Sequence, residues 1–207
     1  MDSTISAAFI GAIVALIAAT ISAIMTMQGW REEQHRLFQQ MQYESEVEHI
    51  RRQIEELYGP LYGLIQKSEA IGEVYKRVLP SDEEIENSEV SKNNYEKIWI
   101  FFRENYFYPI GEKQAELINN KLYLLNSGEI PESFVQFLRH QATRECLLRL
   151  WKEHNIDTMK RKVSHGYPEQ QFKEDVKTSL DQLREKYNNL ILSQQASRAK
   201  GASHLCK

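Results

Sequence analysis

Apolar positions fall into two regimes along this chain. From Ile5 to Met27 there is no charged residue and no proline, and Ile, Val, Leu, Ala, Met and Phe dominate; beyond it, apolar residues recur every three or four positions among charges. The first regime is about 23 residues, or roughly 35 Å of helix, enough to cross a hydrocarbon core of about 30 Å. The second repeats at 3.5–3.6 residues with no sustained alternation, which predicts helices throughout. The expected class is all-α: one N-terminal transmembrane helix, a kinked stalk helix and a cytoplasmic helical bundle. The expected division is residues 1–29 as anchor, 30–78 as juxtamembrane stalk, 79–193 as helical domain and 194–207 as a disordered tail.

A cleaved signal peptide is the competing reading of the first segment. Such peptides open on basic residues and carry a shorter apolar core. Here Met1-Asp2-Ser3-Thr4 precede the run, with an acid and no base, so a retained anchor is favoured. Arg31, Arg36, Arg51 and Arg52 all follow it, placing the N-terminus outside and the body in the cytoplasm. Cys146 and Cys206 then stay reduced. Ala8, Ala12, Ala15, Ala19, Ser22 and Thr26 alternate at spacings of four and three. That small-residue seam lets helix backbones approach closely, predicting a homo-oligomer.

In the body, Leu37, Met41, Val47, Ile50, Ile54, Leu57, Leu61 and Leu64 form an imperfect three-four seam, interrupted by Gly59-Pro60. It fits a coiled-coil stalk, and equally a stripe packing on the chain's own later helices. Asp82 to Ser91 is acidic and reads as a solvated loop. An aromatic helix follows to Tyr108, with Tyr95, Trp99, Phe102 and Tyr106 at helical spacing, core rather than a base-stacking platform; Pro109 should stop it. A helix through Leu117 to Leu125 closes at Gly128. Pro131 opens another that ends near His154, and a last one carries Phe172, Val176, Leu180, Leu183 and Leu190.

The net charge is −3, so the chain as a whole is slightly acidic. No phosphate loop, HExxH, CxxC pair or nucleophile elbow is present, so no metal or cofactor is expected and no enzyme is the leading reading. Locally the balance reverses: Arg144, Arg149, Lys152, Lys160, Arg161 and Lys162 lie close in sequence, with His140, His154 and His165 as further donors. They form a candidate site for a nucleotide, an oligonucleotide or lipid headgroups. A solvated face paired with the acidic segment is the plain alternative.

Arg149-Leu-Trp-Lys-Glu-His154 resembles HEPN ribonucleases in its R-x4-H spacing and helical setting. That resemblance implies a catalytic pair, Arg149 on the phosphate and His154 as acid or base; Leu150 departs from the pattern. The plain alternative is a surface arginine and a histidine at a helix end. As a whole-chain architecture, the span and helical body are similar in plan to the membrane effectors of Hailong-type antiphage defence. That likeness implies an oligomer, controlled by the product of a nucleotidyltransferase partner, that permeabilises the inner membrane. A membrane-tethered ribonuclease and a passive scaffold for a partner protein are the alternatives.

Overall fold

The computed structural model describes the backbone of residues 2–125, 129–154, 156 and 169–204, and the side chains of residues 20, 22–125, 129–154, 156 and 169–196. Within these the chain is helical, with no strand. It comprises α1 (Asp2–Arg52), α2 (Gly59–Val78), α3 (Asp82–Asn87), α4 (Glu89–Phe102), α5 (Tyr108–Asn120), α6 (Glu132–His154) and α7 (Glu169–His204). The chain divides into two units, Met1–Glu48 and His49–Lys207.

The first unit is the helix α1 up to Glu48. Among the described residues no helix is long and apolar enough to cross a membrane. Most of the expected span, including Ala8, Ala12, Ala15 and Ala19, lies outside the described side chains. Ser22 and Thr26 are exposed, and Thr26 Oγ1 donates to the Ser22 carbonyl at 2.8 Å. Further along, Ile24, Met25, Met27, Trp30, Phe38 and Met41 are all more than half exposed.

The second unit is built on α2 and α7. Ile50, Leu57, Leu61 and Ile65 pack with Phe172, Val176, Leu180 and Leu183, while Ile118, Leu124, Phe134 and Phe137 close the core from α5, the turn after it and α6. The stacked Phe137 and Phe172 rings lie 4.6 Å apart, with Phe134 edge-on to Phe172 at 5.1 Å. Each fully buried Leu or Phe contributes about 1.5–3 kcal/mol, so this cluster decides where the compact body begins. Within the expected stalk Leu37 and Met41 are exposed, while Ile50, Leu57, Leu61 and Ile65 are in the core.

Gly59-Pro60 neither breaks the chain nor ends the helix. A π-helical turn, Gln53–Tyr58, precedes it, and the Gly59 N–H bonds to the carbonyl of Ile54, five residues back. Proline lacks the N–H of the regular ladder and its ring collides with the carbonyl four residues back. One extra residue in the turn removes both problems. The same device recurs at the second X-Pro step. Arg103–Phe107 is π-helical, and the Tyr108 N–H bonds to Arg103 O just before Pro109. The expected stop at Pro109 is thus a change of helical pitch.

Two other expectations are corrected. The acidic segment is helical: Ser81 caps α3 through a reciprocal box with Glu84, and Ser88 caps α4 through the Ser91 N–H. The short polar side chains satisfy backbone donors that a loop would leave to water. The proposed tail from residue 194 is a continuation of α7, whose backbone stays helical to His204; the Gln, Ala, Arg and Lys there are good helix formers and no proline intervenes. Gly128 lies outside the described residues.

Polar ties fix the elements around the core. Buried Gln53 donates from Nε2 to the Leu124 carbonyl at 2.9 Å. Glu56 receives Arg52 Nε at 2.9 Å and Lys121 Nζ at 2.6 Å. Those two partners pull its carboxyl down to about 2. Lys173 pairs with Glu69, joining α7 to α2, and Ser133 Oγ donates to Asp175 at 2.5 Å, joining α6 to α7.

Candidate functional site

Helical phase decides which of the basic residues on α6 face the body. Phe137, His140 or Gln141, and Arg144 are spaced by three and four, so they continue the buried stripe of Phe134 and Phe137 toward the C-terminal half. Phe137 is 1% exposed, His140 and Arg144 half-buried. Arg149 is five residues past Arg144, a rotation of about 140°, and is exposed. It pairs with Glu145 at 2.7 Å on its own helix. Lys152 pairs with Glu104 at 3.3 Å. Lys160, Arg161 and Lys162 lie outside the described residues.

Arg144 instead meets a second arginine absent from the sequence-based set. Trp99 and Arg103 stand one helical turn apart, which places the Arg103 guanidinium 4.4 Å from the indole centroid. The π turn that begins at Arg103 delivers Tyr108 to the same place: the Tyr108 ring lies 4.8 Å from the Arg103 guanidinium and 4.2 Å from that of Arg144. Both distances run to one centroid, so the two cationic carbons are within about 9 Å of each other. Their repulsion is from about 0.5 to about 2 kcal/mol between water-like and surface-like dielectric. Contact with an aromatic face offsets it by a comparable amount per pair. Arg103 has no carboxylate partner among the described residues.

Around this pair lies a hollow of about 260 Å³ lined by Tyr75, Trp99, Arg103, Phe107, His140 and Arg144. Tyr75 packs edge-on against Phe102 at 5.4 Å and Phe107 at 6.0 Å. Burial, with the neighbouring Tyr95 hydroxyl, pushes its phenol up to about 12, the mark of a poorly hydrated wall. Arg144 also borders two larger clefts, of about 540 and 440 Å³, but those carry acids: Glu112, Glu116 and Glu145 in the first, Glu69 and Glu169 in the second. The Tyr108 hydroxyl is buried with no hydrogen-bond partner among the described residues.

The aromatic helix thus does more than fill the core. Phe102 is buried, Phe101 and Tyr106 are exposed, and Trp99 and Tyr108 carry the arginines. The signal that could have found Arg103 was the Trp-x-x-x-Arg spacing, which stacks cation on ring whenever the segment is helical.

Arg149 and His154 both lie in the last turns of α6. Arg149 pairs with Glu145 at 2.7 Å on its own helix, and both Arg149 and His154 are exposed. Among the described residues no group of three His, Cys, Asp or Glu is placed to hold a metal, and Cys146 is free and exposed. No family model, curated protein or solved structure matches this chain.

Proposed function

We propose that this chain is a single-pass, membrane-tethered effector of bacterial antiphage defence. Its N-terminal helix lies in the inner membrane with the N-terminus outside. It associates with copies of itself along the Ala8, Ala12, Ala15, Ala19, Ser22 and Thr26 seam, and permeabilises the bilayer when the helical body receives an anionic ligand. A nucleotidyltransferase is the natural source of such a ligand. The observation that supports this reading is helix α1: it runs unbroken from Asp2 to Arg52, is uncharged from Ile5 to Met27, and leaves Ile24, Met25, Met27 and Trp30 uncovered. A run of large exposed apolar side chains calls for lipid or another helix.

Ligand control has a strict energetic condition. Binding shifts the assembly only if one arrangement holds the ligand more tightly than the other. The test is dye release from liposomes carrying the full chain, with and without nucleotide. Ligand-dependent release is expected, with loss of release in the double variant Ala15→Leu/Ala19→Leu, because the bulkier side chains separate the helices. Release that ignores both the nucleotide and the seam refutes the reading. Replacing the span by an unrelated one should abolish toxicity in cells, whereas His154→Ala should leave it intact; the reverse pattern would indicate the tethered ribonuclease.

A further inference from the structure

We infer that the hollow between α2, α4 and α6 is a binding site for a small phosphate ester carrying a flat ring, of mononucleotide size. Three independent features point to an anion. Arg103 is half-buried, held only by the Trp99 and Tyr108 rings, and has no acid beside it among the described residues. Glu104, the acid next in sequence to Arg103, is engaged by Lys152. Of the three clefts described above that Arg144 borders, this one has no carboxylate among the described residues of its wall. A planar guanidinium fork without a carboxylate is matched by phosphate oxygens, which accept two parallel N–H bonds.

The remaining wall sets the rest of the ligand. Tyr75, Trp99 and Phe107 present aromatic surface, and His140 borders the same hollow. Such surface suits stacking of a planar heterocycle, and stacking does not depend on which heterocycle it is. The volume of about 260 Å³ lies just below the usual range for small-molecule pockets. A ligand of that scale is matched to a single nucleotide unit. Tyr108, whose ring meets both guanidiniums, borders the cleft of about 540 Å³ and not this hollow.

The consequence of occupancy rests on the effector reading, but occupancy itself is measured without a membrane. The experiment is calorimetric titration of the full chain in detergent micelles with adenosine 5′-monophosphate and, separately, inorganic phosphate. Saturable binding of both is expected, with the nucleotide tighter. Arg103→Gln should weaken nucleotide binding by about tenfold or more, the usual loss when a charge-assisted hydrogen bond is removed. Arg103→Lys, which keeps a cation near Trp99 but loses the fork, should fall between, and Arg77→Gln at the exposed end of α2 should change nothing. Circular dichroism confirms that each variant is folded; should Arg103→Gln fail to fold, Arg103→Lys alone decides the role of the fork. No binding to the native chain overturns the proposal. So does native-strength binding in the folded Arg103 variants, or a nucleotide held no more tightly than phosphate. Binding without nucleotide-dependent dye release keeps the site and removes the effector reading; nucleotide-dependent release that survives Arg103→Gln unchanged does the opposite.

Discussion

Replacing Gly59 by alanine tests whether the first π turn sets the register between the residues on either side of it, Ile50 to Leu57 and Leu61 to Ile65. In a regular helix interior the change stabilises, by about 0.5–1 kcal/mol, because alanine loses less backbone entropy. At Gly59 the added Cβ would stand 2.6 Å from the carbonyl oxygen of Ile54, a backbone atom that already accepts the Gly59 N–H. A side chain cannot swing away to relieve that contact; the turn itself must open or revert to α-helical pitch. Reversion deletes the extra residue and rotates everything upstream by about 100°. Ile50, Gln53 and Leu57 on one side and Leu61 and Ile65 on the other could not then all stay buried. Losing even one such apolar side chain costs about 1.5–3 kcal/mol, more than the propensity gain. Gly59→Ala is therefore destabilising by about 1–2 kcal/mol net, or a fall of several degrees in melting temperature for a chain of this size. Gly63→Ala is the internal control: it lies one turn on, with nothing within 4 Å of its Cβ, and should stabilise. Chemical and thermal denaturation of both variants in the same detergent reads the difference in sign. If Gly59→Ala matches Gly63→Ala, the π turn is not a constraint and the reasoning fails.

Phe172→Ala should cost about 3–5 kcal/mol, since its fully buried ring stacks on Phe137 and meets Phe134; a loss under about 1 kcal/mol in denaturant titration would place the core elsewhere. Glu56 gives the chain an acid-sensitive tie. Its folded carboxyl lies at about 2, held down by hydrogen bonds from Arg52 and Lys121, against an ordinary value of 4.5. The stabilisation is therefore present above the unfolded value and is lost as pH falls from about 5 toward about 2. Melting temperature should drop through that window, and Glu56→Gln should flatten this part of the profile; an identical slope in the variant would show that the tie contributes nothing.

Much of the body was legible because helical phase reports burial directly. Ile50, Leu57, Leu61, Phe172, Val176, Leu180 and Leu183 repeat at three and four, and all are buried. What escaped was local backbone chemistry. Pro60 and Pro109 carry a strong stop signal, yet a single π turn before each removes the ring clash, and no side-chain pattern announces that extra residue. Ser81-x-x-Glu84 did announce a helix start, but the surrounding acidity masked it. For the candidate site, counting charges along the sequence gathered Arg144, Arg149 and Lys152 into one patch. The helix then separated them, because five residues turn a side chain to another face. The partner Arg144 actually meets, Arg103, sits 41 positions earlier in the sequence, where only tertiary packing could join them.

The two π turns also suggest why a ligand at this hollow could matter to the rest of the body. Arg103 opens the second turn, so any pull on its guanidinium acts on a stretch of helix already out of α-helical register. Tyr75 lies against that turn through Phe107 and belongs to α2, whose other end begins at Gly59-Pro60. Helix α2 is thus held at one end by the aromatic wall of the hollow and at the other by the π turn that follows Arg52. Between them Leu61 and Ile65 are fixed in the core, so α2 transmits a shift as a rigid rod or not at all. A swing from about 1% to about 99% of one arrangement needs about a 10⁴-fold difference in affinity between the two. Two arginines and one stacked ring are of the right order to supply it only if the alternative arrangement loses most of their contacts. A π turn that resolves to α-helix, carrying Arg103 about 100° off the hollow, is a change large enough to do that.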